Sequence, residues 1–131
     1  MNLTDFAKEV HENAVAHGWW DEESSFGEIL ALCHSELSEA LEAYRSGLPA
    51  DKVVYRFDDC GDMTEDECAG CYNGNPKCFR AKPDGVSVEL ADCILRILDY
   101  CGKIGIDIED VIQRKHEYNK THPYRHGGKR I

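Results

Sequence analysis

Two short runs of acids are the residues best placed to do chemistry. Glu36 and Glu39 stand three apart in HSELSEAL (34–41), and Glu89 and Asp92 stand three apart in VELADCILRIL (88–98). Residues three apart on a helix are neighbours on one face. Four carboxylates that converge cannot all stay ionised, because like charges in a low dielectric repel strongly. A hard divalent cation removes the conflict, and Mg²⁺ prefers carboxylate oxygens and water. The plain alternative is a set of surface ion pairs, such as Asp92 with Arg96 four residues on.

A second cluster is made of thiols. Cys60, Cys68, Cys71 and Cys78 follow C-x7-C-x2-C-x6-C. One CxxC knuckle and two more thiols nearby suit a tetrahedral structural Zn²⁺, which would fold a loop with no core of its own. Free or redox-active thiols, an iron–sulfur centre and disulfides stay open as alternatives. The chain has seven cysteines, an odd count that disfavours a disulfide framework. Cys33, Cys93 and Cys101 fall inside helical patterns, where a thiol is ordinarily a small core residue.

The elements that must position these groups are helices. Leu3, Phe6, Ala7, Val10 and Ala14 recur at helical spacing, with Asn2 and Asp5 as a start signal and Gly18 as the stop. Ser25 with Glu28 opens a second helix, whose stripe of Phe26, Ile29, Leu30, Cys33, Leu37, Ala40, Leu41 and Tyr44 runs to about Gly47. On a wheel at about 100° per residue Glu36 sits at the edge of that stripe and Glu39 a little further round. A third helix is expected from Val86 or Ser87 to Gly102, apolar except for a stripe at Glu89, Asp92, Arg96, Asp99 and Lys103. Asp107, matched by Asp110, caps a fourth helix that reaches about Asn119. Residues 48–85 form an irregular Cys-rich insert in which VVYRF (53–57) suits a short strand. The expected fold is an all-α four-helix bundle, one domain over 1–131 with insert 48–85.

The chain has 131 residues, 42% of them hydrophobic, with 15 Lys plus Arg against 25 Asp plus Glu. A net charge of −10 argues against nucleic acid or an anionic membrane surface as the partner. No apolar run is long enough to span a bilayer. The first residues, MNLTDFAKEVHE, carry acids where a signal peptide needs basic and then apolar ones, so a cytoplasmic location is expected. The charge is uneven: residues 113–131 hold six basic groups and one acid. An acidic body with a basic tail suits a metal cation together with the anion it activates. A solvated tail is the bland alternative.

HSELSEAL and VELADCILRIL resemble the paired ExxE and ExxD motifs of the MazG-like, all-α nucleoside triphosphate pyrophosphohydrolases. The resemblance extends through the four helices and the tail NKTHPYRHGGK (119–129), leaving out 48–85. It implies a four-helix MazG-like bundle and Mg²⁺-dependent hydrolysis of a nucleoside triphosphate to monophosphate and pyrophosphate. Glu36, Glu39, Glu89 and Asp92 would be the catalytic, Mg²⁺-holding residues, with one carboxylate orienting the attacking water. Lys115, Asn119, Arg125 and Lys129 are candidates to contact sugar or phosphate, and Gly127-Gly128 can offer backbone N–H groups to an anion. Trp20, with Trp19, is a candidate to stack on the base; the bland alternative is that they close the end of the bundle. His34 reads as a surface residue.

Two features depart from the family pattern: Ser35 stands where members often carry a further acid, and the insert lengthens the gap from Glu39 to Glu89. They motivate two other readings, a catalytically inactive nucleotide- or metal-binding regulatory module and a zinc-organised interaction domain. Helix three, apolar on nearly every side, needs more cover than four helices supply, so a homodimer or homotetramer is expected. In the family the acid cluster lies near the subunit boundary.

Overall fold

The computed structural model describes residues 1–56 and 82–124. Its elements run α1 (Leu3–Ala16), α2 (Phe26–Arg45), β1 (Val54–Arg56), β2 (Lys82–Asp84), α3 (Val86–Ile104) and α4 (Ile108–Lys120). The described chain is therefore mostly helical. It is not purely α, because β1 and β2 pair antiparallel with Val54 opposite Asp84 and Arg56 opposite Lys82. The first strand lies within the VVYRF segment, whereas Lys82-Pro83-Asp84 carries no strand-forming residue and was silent as sequence. Two compact units divide the chain. One comprises Met1–Ser25 with Leu95–Ile131, the other Phe26–Ile94, so α3 contributes its ends to different units.

In the first unit, Asn2 caps α1 by accepting the Asp5 N–H at 3.1 Å, and Asp107 caps α4 by accepting that of Asp110 at 3.3 Å. The two helix starts are also tied to each other. The Leu3 N–H donates to Glu109 Oε1 at 3.0 Å, while the Thr4 hydroxyl donates to Asp107 Oδ1 at 2.6 Å and accepts the Glu109 N–H at 3.1 Å. Thr4 and then the Asp110 amide hold the Asp107 carboxyl below its usual range. Beneath this clasp Ala7, Leu98 and Cys101 are buried, flanked by Phe6, Val10, Ile106 and Ile108.

Two glycines of this unit divide the work that the sequence assigned to one. α3 does not stop at Gly102. A Cβ there would run into the Ala7 carbonyl and come within 2.8 Å of His11 Cβ, so this glycine lets α1 approach α3 closely. The helix ends at Gly105, whose positive φ of 78° closes the turn as the Gly105 and Ile106 N–H groups donate back to the Cys101 carbonyl.

In the second unit Gly85 joins β2 directly to α3 at φ 113°, a backbone conformation that residues with a side chain rarely adopt. Its carbonyl accepts the Glu89 N–H at 3.1 Å and so opens the helix. The buried apolar residues described in this unit are all small or medium: Cys33, Ala40, Val86 and Cys93. Among the described residues, no helix is long and apolar enough to cross a membrane.

Candidate functional site

The carboxylates of Glu36, Glu89 and Asp92 meet in the second unit. Each offers an oxygen, and the three oxygens lie within 4.8 Å of one another. Glu36 comes from the middle of α2, on the face that also buries Cys33 and Ala40. It is itself 6% exposed, the only buried charged residue among those described. Glu89 comes from the first turn of α3, set there by the Gly85 junction, and Asp92 follows one turn later. Glu39 lies further round α2 and is exposed, outside the close trio.

The electrostatics record this crowding. The Glu89 carboxyl is pushed up to about 7, first by burial, then by a hydrogen bond with Glu36 and the charges of Glu39, Asp92 and Glu36. An acid in a first helical turn is ordinarily favoured by roughly 0.3–1 kcal/mol from the helix dipole. Here that effect loses to burial and to the neighbouring acids. A hydrogen bond between two carboxyl groups requires a proton on one of them, since ionised carboxylates only accept. Three hard oxygen donors this close together are a group that could hold a metal ion.

Ser35 does not disturb this arrangement. It lies on the exposed side of α2, its hydroxyl donating to the Leu32 carbonyl at 2.6 Å, so the trio is assembled without it. His34 is likewise exposed.

The expected substrate contacts belong to the other unit. Lys115 is exposed, its ammonium 4.9 Å from the Tyr118 ring centroid, and Asn119 is exposed near the end of α4. Trp20 is already engaged: its indole N–H donates to Asp99 at 2.9 Å, Lys103 sits 4.1 Å over its ring, and His11 meets it edge-on at 5.6 Å. Asp99 Oδ1 also takes His11 Nδ1 at 2.8 Å. Because the carboxylate only accepts, Nδ1 carries the hydrogen. His11 drew no attention as sequence; the signal for this cluster was Asp99 and Lys103 in the polar stripe of α3. Arg125, Lys129, Gly127 and Gly128, and the cysteines Cys60, Cys68, Cys71 and Cys78, lie outside the described residues.

No family model, curated protein or solved structure matches the chain.

Proposed function

We propose that this chain is a Mg²⁺-dependent nucleoside triphosphate pyrophosphohydrolase of the MazG-like kind, releasing a nucleoside monophosphate and pyrophosphate. The observation that carries the reading is the convergence of Glu36, Glu89 and Asp92, from two helices on opposite sides of the insert, on one small volume. Those three carboxylates would hold the ion. Bound there, Mg²⁺ supplies charge neutralisation for phosphate oxygens and a more acidic water.

The protein's own groups do the rest. Glu36, buried and locked on α2, fixes the geometry. Glu89, pushed up to about 7 by burial and the neighbouring acids, would give up its proton when the ion binds. Glu39, exposed beside the trio, is placed to orient water. Lys115, Asn119, Arg125 and Lys129 are proposed to contact the phosphates and sugar, and Trp20 the base, on the strength of the resemblance. Homodimeric or homotetrameric assembly goes with the same reading, as does a structural Zn²⁺ on Cys60, Cys68, Cys71 and Cys78. Metal analysis of protein purified without chelator checks the latter: the expected result is about one zinc per chain, lost in Cys68→Ser with Cys71→Ser.

The deciding experiment incubates the chain with canonical, modified and deoxynucleoside triphosphates and Mg²⁺, and assays pyrophosphate. Release that needs Mg²⁺ is expected from at least one of them. Folded protein that releases none removes the proposal.

A further inference from the structure

The first unit holds a second group of titratable side chains, which the hydrolysis does not use. His11 of α1 meets Asp99 of α3, with Nδ1 2.8 Å from Oδ1. The Trp20 indole N–H donates to the same carboxylate, 2.9 Å from Oδ1 and 3.1 Å from Oδ2. The imidazole is pinned on three sides. Asp99 holds Nδ1, and the Trp20 ring stands edge-on at 5.6 Å between centroids. The His11 Cβ lies so near Gly102 that a side chain there would come within 2.8 Å of it. A ring fixed before it reacts has little freedom left to lose.

What the fixing leaves out is the other ring nitrogen. Asp99 only accepts, so Nδ1 carries the hydrogen and, in the neutral ring, Nε2 carries a lone pair. Nε2 has no hydrogen-bond partner among the described residues. No side-chain nitrogen or oxygen there is both buried and without a partner, so Nε2 reaches solvent. A carboxylate behind Nδ1 stabilises positive charge on the ring and so favours attack by Nε2 on an electrophile. His17 supplies the contrast. Its Nδ1 lies 2.8 Å from the Asn13 carbonyl and therefore also carries the hydrogen. His17 is exposed, whereas the His11 side chain is 22% exposed, but the group behind the His17 ring has no charge.

The surrounding charges select the electrophile. Lys8 stands three residues before His11 on α1, and the Lys103 ammonium sits 4.1 Å over the Trp20 ring. Glu12, next in sequence, lies about 100° round the helix. Two ammonium groups on the flanks favour a doubly charged anion over an uncharged acyl group. A metal ion is disfavoured, since His11 and Asp99 gather no third ligand. Among the described residues, the group of three that could hold an ion is Glu36, Glu89 and Asp92.

We propose that His11 is a phosphoryl-accepting histidine, taking a phosphoryl group at Nε2 from a phosphoramidate, the class to which phosphohistidine belongs, with Asp99 as its positioning residue. The Nε2 lone pair forms the new N–P bond as the donor's P–N bond breaks. The donor nitrogen, already protonated, leaves as a neutral base with the electron pair. No proton leaves His11: Nδ1 keeps its hydrogen, and Asp99 pairs with the positive charge that the ring acquires. The inference uses neither the acid trio nor the family resemblance.

The test incubates the full chain with potassium phosphoramidate, with a chelator and without nucleotide. Phosphorus NMR and peptide mass spectrometry follow its six histidines. A carboxylate behind a metal-bound histidine matters 10–100-fold, and His11 is accordingly expected to be labelled at Nε2 at least about tenfold faster than His17. Asp99→Asn keeps an oxygen to accept the His11 and Trp20 hydrogens and removes the charge. It is expected to bring His11 down to the rate of His17, and nitrogen NMR of the unaltered chain should place the imidazole hydrogen on Nδ1. Should the variant not fold, the ratio of His11 to His17 in the unaltered chain decides. Labelling of any other histidine as fast as His11, an Asp99→Asn rate equal to that of the unaltered chain, or a hydrogen on Nε2 alone overturns the proposal. Failure to release pyrophosphate removes the hydrolysis and leaves this site standing.

Discussion

The polar stripe of α3 carries aspartates and a glutamate into two surroundings that treat them in opposite ways. Near its start, Glu89 and Asp92 meet Glu36, another acid, and burial together with the neighbouring acids pushes Glu89 up to about 7. Two turns on, Asp99 meets donors: His11 Nδ1 donates to its Oδ1, and the Trp20 indole N–H is shared between Oδ1 and Oδ2. The two places differ in burial and in the charge that their neighbours bring. A carboxylate surrounded by donors is a fastening. A carboxylate crowded by carboxylates raises the demand for positive charge, which a proton or a divalent cation can meet.

The largest effect should come from the demanding half. Loss of an outer-shell partner of a metal ligand typically costs 10–100-fold, so removing a ligand should cost more than about 100-fold. Glu36→Ala and Asp92→Ala are therefore each expected to lower pyrophosphate release by more than about 100-fold and to weaken Mg²⁺ binding seen by calorimetry. Equal turnover in both variants and the unaltered chain would falsify the division drawn here.

Next comes packing in the fastened half. Gly102→Ala drives a methyl into the Ala7 carbonyl, which is backbone and cannot swing aside. Overpacking of this sort costs about 1–3 kcal/mol, and a backbone clash belongs at the upper end. Thermal melting should fall by several degrees, and an unchanged midpoint would mean that α1 does not approach α3 at this point.

Asp99→Ala should follow at roughly 2 kcal/mol, since it strands the Trp20 N–H and the His11 N–H together. Tryptophan fluorescence should change with it. The same substitution should leave Mg²⁺ affinity within about twofold if the fastening and the demanding halves are separate in function.

The smallest effect is a pH dependence in metal-free protein. Glu89 binds its proton more tightly folded (about 7) than at its ordinary value of 4.5. Between those values the folded state holds more protons than the unfolded one, so this group's contribution to stability falls as pH rises from about 4.5 to 7. Solvent access to the carboxyl reduces the full displacement to an expected ~1–2 kcal/mol. Glu89→Gln should be more stable than the unaltered chain at pH 8 by that amount and show no advantage at pH 4. Saturating Mg²⁺ should erase the slope in the unaltered chain, and a Glu89→Gln difference that stays constant from pH 4 to 8 would show that Glu89 does not titrate there.

Much of this was written in local spacing. The starts of α1 and α4 follow from Asn2 and Asp107, whose side chains accept the backbone N–H three residues on. The reach of α2 follows from its stripe, and the nearness of the three acids to the core boundary follows from their place on two wheels. A helix is a periodic object built from neighbours in sequence, so residue type and interval suffice to draw it. Spacing could not decide contacts between elements. It did not show that β1 has a partner in Lys82–Asp84, that Gly102 makes a close approach while Gly105 ends the helix, or that Trp20 and His11 share Asp99. Nor could it distinguish Glu36 from Glu39, equally acidic and three residues apart, until α3 arrived to bury the first and leave the second exposed. Hydrogen bonding, burial and charge repulsion depend on what lies across the gap. That is set by how the chain returns on itself, and only the tertiary structure holds it.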